Sequence, residues 1–410
     1  MKGIAKFYTY FWIIYFPVCI AFTAIVDFDY SDELLTVALL AYAVLKAKYL
    51  IKSRKRNREI QSFVVIMAFY LLYSMMIHVT TQKGVLLDFL QQLRPYMVFY
   101  TTWVMAPQFN TKQKRLIKCV MLGSFTIYTV LYIVNPELVN PYGIVNGSAE
   151  SAAMGQLALC CAMIFYLFSK KTNKNRGIAI FIMLLGLLCG KSKYFGECVA
   201  FIALILYVND YIKFKSAKTV GSVVLLGIVI VFFTWTKFNM YYVEGMRDTG
   251  AEMKARPASY KVARQIIFED YIPFGSGLGS FGTAAAAKEY SPLYYKYKLN
   301  HIWGLTPENP MFLADAFYPT LAEVGIVGIF FLLVFWKRRL TEMQKIPNLA
   351  CYRMALMCFL ALALESTADS SYLSGKGMGY FMILAVCLNS AVYPFEENTK
   401  GTQVNAVSNR

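Results

Sequence analysis

The sequence predicts an all-α integral membrane protein, a polytopic helical bundle of about twelve transmembrane helices with one large extracytoplasmic loop. Three observations predict it. The 410-residue chain is 58% hydrophobic with a mean hydropathy of +0.46, too apolar for an ordinary soluble domain. Apolar stretches recur at lengths near the roughly 20 residues that cross a hydrocarbon core. Basic connectors alternate with acidic or nearly uncharged ones, the asymmetry that fixes orientation in a membrane.

The predicted spans are 5–26, 34–51, 60–79, 85–106, 116–134, 153–169, 177–190, 194–208, 219–236, 314–336, 350–366 and 376–393. The first ends at Asp27 and Asp29 without a small-residue cleavage site, so it reads as a retained span and not a signal peptide. The short stretches 177–190 and 194–208 flank Lys191, Ser192 and Lys193, as a helical hairpin or as one broken helix. Five connectors are basic: around Lys52–Arg58, Lys112–Lys118, Lys170–Arg176, Lys213–Lys218 and Lys337–Arg353. With twelve spans all five fall on the cytoplasmic side, together with both termini. The intervening connectors, Asp27–Glu33, Thr80–Gly84, Asn135–Ser151 and Glu365–Ser374, carry little positive charge. The division expected is nine helices in 1–236, an outer loop in 237–313, three helices in 314–393 and a cytoplasmic tail in 394–410.

The net charge of +17 is mostly this positive-inside bias. Nine Lys or Arg lie in 237–313, and long exported loops are not shaped by that bias. They point to an anionic partner on the outer face, a phosphate-bearing lipid and not nucleic acid. The nine cysteines lie in or near spans and form no Cys-x-x-Cys pair, so they read as small apolar packing residues.

The loop contains Arg256-Pro257-Ala258-Ser259-Tyr260 and continues to Asp270. Pro257 suits a first helical turn. Val262, Ile266 and Phe268 suggest an apolar stripe, while Arg256, Tyr260 and Arg264 recur every four residues on the opposite face. Two guanidiniums on one face, with Arg256 at a helix N-terminus and Arg247 upstream, suit a phosphate or pyrophosphate. Residues 277–282 match Gly-x-Gly-x-x-Gly, but no βαβ unit surrounds them and the dinucleotide reading is discarded. Gly275, Gly277 and the glycines that follow are expected to allow a tight turn and close backbone approach. His301, beside Trp303, is one candidate general base, because an imidazole can accept a proton from a sugar hydroxyl. Its other role would be interfacial packing beside Trp303 and the neighbouring tyrosines. No metal site is expected from its neighbours. Within the spans Arg94, Lys191, Lys193, Glu323 and Glu365 are charges whose burial is costly, and each is expected either to pair inside the bundle or to face a functional cavity.

These features together resemble the Wzy-type O-antigen and capsular polysaccharide polymerases, and the related O-antigen ligases, among the GT-C-like membrane glycosyltransferases. Three pieces carry the resemblance. Arg256-Pro257-Ala258-Ser259-Tyr260, leading through Pro273 to Gly275-Ser276-Gly277-Leu278-Gly279, is similar to the family's Arg-x3-Tyr/Trp and Pro-x-x-Gly-x-Gly; within it, ten residues separate Arg264 from Gly275, as in an Arg-x10-Gly motif. The run from Asp315 through Glu323-Val324-Gly325 to Gly328 resembles the segment that enters the span after the large loop and ends in Glu-x-Gly-x-x-Gly. Gly190-Lys191-Ser192-Lys193 stands where many members carry Ser-Arg.

The resemblance implies an inverting sugar transfer from a glycan linked to undecaprenyl pyrophosphate. No metal and no cofactor are implied. Arg256, Arg264 and Lys193 would neutralise the leaving pyrophosphate, joined by Arg94 and Arg247. His301 or Asp315 would activate the acceptor hydroxyl. A chain-length regulator and a flippase of the same pathway would be partners at the bacterial inner membrane. Two departures stand out. Ligases carry His-Asn before the Glu-x-Gly-x-x-Gly span, where this chain has Ala314-Asp315-Ala316. Lys193 replaces arginine, which keeps the charge and loses the bidentate fork. A polymerase is therefore the first expectation, an O-antigen ligase acting on lipid A-core the second, and a lipid-linked oligosaccharide transporter the third.

Overall fold

The computed structural model describes residues 2–21, 31–46, 54–134, 149–212, 235–245, 247 and 253–391, with the isolated positions 221, 227, 228, 231 and 232. Among them every regular element is helical. Among the described residues eight long helices precede the loop: α1 (Lys2–Ala21), α2 (Ser31–Leu45), α3 (Arg54–Ile77), α4 (Gln82–Met105), α5 (Thr111–Val134), α6 (Ala149–Phe168), α7 (Asn173–Leu185) and α8 (Ser192–Leu206). The loop contributes α9 (Ala255–Gln265), and α10 (Gly325–Met343), α11 (Leu349–Glu365) and α12 (Gly375–Asn389) follow. The expected tail and most of the expected span at 219–236 lie outside the described residues.

The helices form one bundle. Arg56–Ile77 of α3 and Thr111–Val134 are long and apolar enough to cross a membrane; Leu34–Leu45, Met154–Phe168 and Gly377–Asn389 are apolar but shorter. Twelve spans were expected, and two helices meet those criteria among the described residues. Burial separates the two kinds. Only 11% of the apolar window of α3 and 28% of that of α5 is covered by protein, whereas every residue from Met154 to Leu167 of α6 and from Gly377 to Asn389 of α12 is buried. A helix apolar all round belongs inside other helices or in lipid, and hydropathy does not distinguish these surroundings. Here α12 packs on α4 and α11, α11 also on α8, and α6 on α5 and α7. The 177–208 region resolves as a hairpin: Gly190 takes a left-handed turn and the Tyr194 hydroxyl of α8 donates back to the Met183 carbonyl of α7 at 2.8 Å.

Two arginines expected in a connector lie inside the bundle end instead. Arg339 is fully buried, paired with Glu59 at 2.6 Å and stacked near the rings of Phe99, Trp103 and Phe335. Arg353 donates to the Val208 carbonyl at 2.8 Å and to the Tyr166 hydroxyl. α10 runs on to Met343 and α11 starts at Leu349, so helix continues through most of the basic run.

Residues 253–322 make a cap with a core of its own, built from Ala258, Ile266, Phe281, Tyr294, Leu299, Leu305 and Leu313 among others. α9 buries Ala255, Ala258, Ser259 and Ala263; Val262 is half-buried and Phe268 is 56% exposed. The expected stripe fails at its end because the helix widens into a π-helical turn over Ile266–Asp270. The extra residue per turn rotates Phe268 outward, and small side chains let α9 sit close against the cap.

Candidate functional site

The glycine turn joins the cap to the bundle. Gly275 and Gly325 both have positive φ, and a Cβ on either would collide with the backbone of the other. The Ser276 N–H donates to the Ala322 carbonyl and the Gly277 N–H to the Glu323 carbonyl, each at 2.9 Å. Glu323 is fully buried. Its Oε1 accepts from the Phe281 N–H at 2.8 Å and the Thr283 hydroxyl at 3.1 Å. Asp88 of α4, also fully buried, accepts from the Gly279 N–H at 3.1 Å. The Leu278 N–H donates to the Ser74 hydroxyl at 2.8 Å and the Gly282 N–H to the Tyr294 hydroxyl at 3.1 Å. The amides that a phosphate-binding glycine loop would offer to a ligand are here spent on the protein. Gly275, Gly277, Glu323 and Gly325 are thus the seam between cap and bundle.

A cluster of opposite charges lies beside the seam. The Arg256 guanidinium reaches Asp315 Oδ2 through Nε at 3.0 Å and through a terminal nitrogen, and it lies 4.8 Å from the centre of the Tyr241 ring. Lys193, in the first turn of α8, pairs with Asp369 in the α11–α12 connector at 2.5 Å. Asp315 feels the charges of Asp369 and Lys193 as well as that of Arg256, so the two ion pairs are electrostatic neighbours. The Tyr260 hydroxyl donates to the Thr367 carbonyl at 3.0 Å and fixes α9 over the same connector. Arg94, 8% exposed, donates to the Leu373 carbonyl at 3.3 Å and braces the far end of that connector. Four side chains from α9, the segment ahead of α10, α8 and the α11–α12 connector thus converge on one spot.

The electrostatics of Asp315 follow from its place. Burial pushes its carboxyl above the ordinary aspartate value, and Arg256 offsets only part of that rise. A carboxylate held this way is a stronger base than a solvated one.

The other sequence candidates lie outside the cluster's bonds. Arg264 and Arg247 are exposed and make no ion pair among the described residues. His301 is exposed at the end of a 3-10 turn, and its side chain makes no hydrogen bond or ion pair among the described residues. No group of three His, Cys, Asp or Glu is placed to hold a metal ion among the described residues. Asp369 and Asp88 were not singled out from the sequence. For Asp369 the available signal was an acid in an otherwise neutral connector; for Asp88 it was an acid inside an apolar run.

No protein-family model matches the chain, and no curated protein matches it.

Proposed function

We propose that the chain is a membrane polysaccharide polymerase that moves an undecaprenyl-pyrophosphate-linked glycan onto a lipid-linked repeat unit at the outer face of the bacterial cytoplasmic membrane. In this reading the helices make about twelve spans, and the cap with its charge cluster faces outward. The observation that carries it is the convergence of Arg256 and Lys193, each held by a carboxylate, at the joint between cap and bundle. Cations paired with carboxylates are pre-positioned for an anion that can displace one partner, and the surrounding protein strengthens the exchange by limiting water.

The chemistry follows. The diphosphate of the donor takes the place of Asp315 on Arg256 and draws on Lys193. The donor sugar then lies between the cations and the released Asp315 carboxylate. The acceptor hydroxyl oxygen attacks the anomeric carbon from the face opposite the diphosphate. The new glycosidic C–O bond forms as the bond to the diphosphate oxygen breaks, and that oxygen keeps the electron pair. The hydroxyl proton passes to Asp315. Of the two base candidates, Asp315 is favoured over His301 because it already touches the cation that must hold the leaving group.

The test is elongation by the purified full-length protein in lipid nanodiscs, supplied with lipid-linked repeat units. Longer lipid-linked chains are expected from the native protein and none from Arg256→Ala or Lys193→Ala. Full elongation by both variants would overturn the reading. Transfer only to a lipid A-core acceptor would replace it with a ligase, and movement of intact donor across the bilayer without elongation with a transporter.

A further inference from the structure

Beneath the charge cluster lies a second group of carboxyls that the proposed transfer does not use. Glu197 of α8 and Glu365 at the end of α11 are each 1% exposed, and both line one small cavity. Glu365 Oε1 accepts from the Tyr380 hydroxyl of α12 at 2.9 Å, and its Oε2 accepts from the Gln156 side-chain amide of α6. Among the described residues neither oxygen of Glu197 receives a hydrogen bond, and neither does Oε1 of Gln156. These orphan acceptors border a cavity of about 10 Å3 that also touches Lys193 and Lys191, at the lower limit of room for a single water.

Among the described residues the charges around this cavity do not balance. Glu197, Glu365 and Asp369 bring three carboxyls, and Lys193 and Lys191 two ammoniums. Lys193 is committed to Asp369, and Lys191 stands at the rim. The remaining titratable groups facing the pair are Tyr194 and Cys198 of α8, Cys189 of the preceding turn, Cys160 of α6 and Tyr380 of α12. All of these are neutral in their ordinary forms and add no positive charge. Two buried carboxylates on one small cavity without a donor between them are among the costliest arrangements a protein interior can hold. One proton removes the cost: it cancels the excess charge and turns one carboxyl into the missing donor.

We infer that Glu197 and Glu365 form a buried binding site for one exchangeable proton, held between the two carboxyls directly behind the Lys193–Asp369 pair. The site also governs Lys193. With the proton bound, Asp369 is the strongest anion facing the Lys193 ammonium, which stays turned toward the outer cluster. With the proton gone, a second anion borders the same cavity and competes for Lys193 from behind.

Infrared spectroscopy of the full-length protein in nanodiscs tests this without any substrate. At neutral pH the native protein is expected to show a protonated-carboxyl C=O band that moves down in D2O and disappears on alkaline titration. Glu197→Gln and Glu365→Gln should each remove that band, because an amide then supplies the donor and the surviving carboxylate ionises. Glu323→Gln, at the buried carboxyl of the seam, should leave it in place. Absence of an exchangeable band from the native protein at neutral pH overturns the inference, as does a native band that neither glutamine variant weakens. A melting temperature that rises with sodium while no such band exists would overturn it in favour of a metal-ion site. If either variant gives no folded protein, the other and the native titration decide.

Discussion

The seam and the charge cluster are neighbours built from the same residue types, yet they spend their polar groups differently. At the seam Glu323 and Asp88 receive backbone N–H groups from Phe281 and Gly279, so the carboxyls are locked into the main chain. In the cluster the carboxyls are held by side chains instead: Asp315 by Arg256, and Asp369 by Lys193 and the Ser371 hydroxyl. A backbone amide cannot leave without unfolding its turn, whereas a guanidinium or ammonium can exchange one anion for another by a rotamer change. The difference teaches where to look for ligand exchange: not at the glycine-rich motif, whose amides are occupied, but at the ion pairs beside it.

The sharpest way to break the comparison is to disturb the seam. Gly275→Ala or Gly325→Ala places a Cβ into the opposing backbone in a left-handed conformation, at a cost of about 3 kcal/mol or more. Little folded protein is expected, read by size-exclusion yield and thermal unfolding. A well-folded Gly275→Ala protein would show that the seam is looser than its geometry implies.

Arg256→Ala should do the reverse. Loss of one preorganised cation typically removes about 10²–10³ in rate, so elongation should collapse while the unfolding temperature stays within a few degrees of the native value. Equal losses of fold and activity would erase the distinction between the two regions.

Asp315→Asn sharpens the comparison through pH. Because burial raises the Asp315 carboxyl, its basic form is lost as pH falls through a value above the ordinary aspartate range. The native rate should therefore show an acid limb displaced upward, and the asparagine variant should lack it, with a rate lower by about 10²-fold or more. Stability runs the other way. The folded chain binds this proton more readily than the unfolded one, so Asp315 destabilises less as pH falls. An acid limb unchanged in the variant would assign it to another group.

Glu323→Gln is expected to have a smaller effect, about 1–3 kcal/mol of stability from weakened acceptors to Phe281 and Thr283, measured by denaturant unfolding. The smallest effect belongs to Arg264→Ala. The side chain is exposed and makes no ion pair among the described residues, so at most a severalfold change in elongation is expected. A loss as large as that of Arg256→Ala would mean that the bound donor extends along the whole polar face of α9.

Much of the chain was legible from local chemistry. Helical periodicity placed Arg256 and Tyr260 on one face of α9, and both reach partners outside the helix. Gly275 was legible as a position of special backbone, whereas Gly325 stood out only as part of the Glu-x-Gly-x-x-Gly resemblance. Less legible was what each apolar stretch faces. α3 and α6 are both apolar, but one turns most of its surface outward and the other is wrapped by protein. The loop's helix was misread at Phe268 because a π-helical turn changes the angular step between residues, and composition carries no mark of that change.

Sequence by itself determined an all-helical, strongly apolar chain interrupted by a cationic, glycine-bearing segment, because hydrophobic period and backbone freedom are properties of neighbouring residues. The tertiary structure alone decided which charges meet. Arg256 finds Asp315 59 residues away and Lys193 finds Asp369 176 residues away. Such pairs depend on how helices pack, and helix packing is set by side-chain shape summed over whole faces, which no local pattern records.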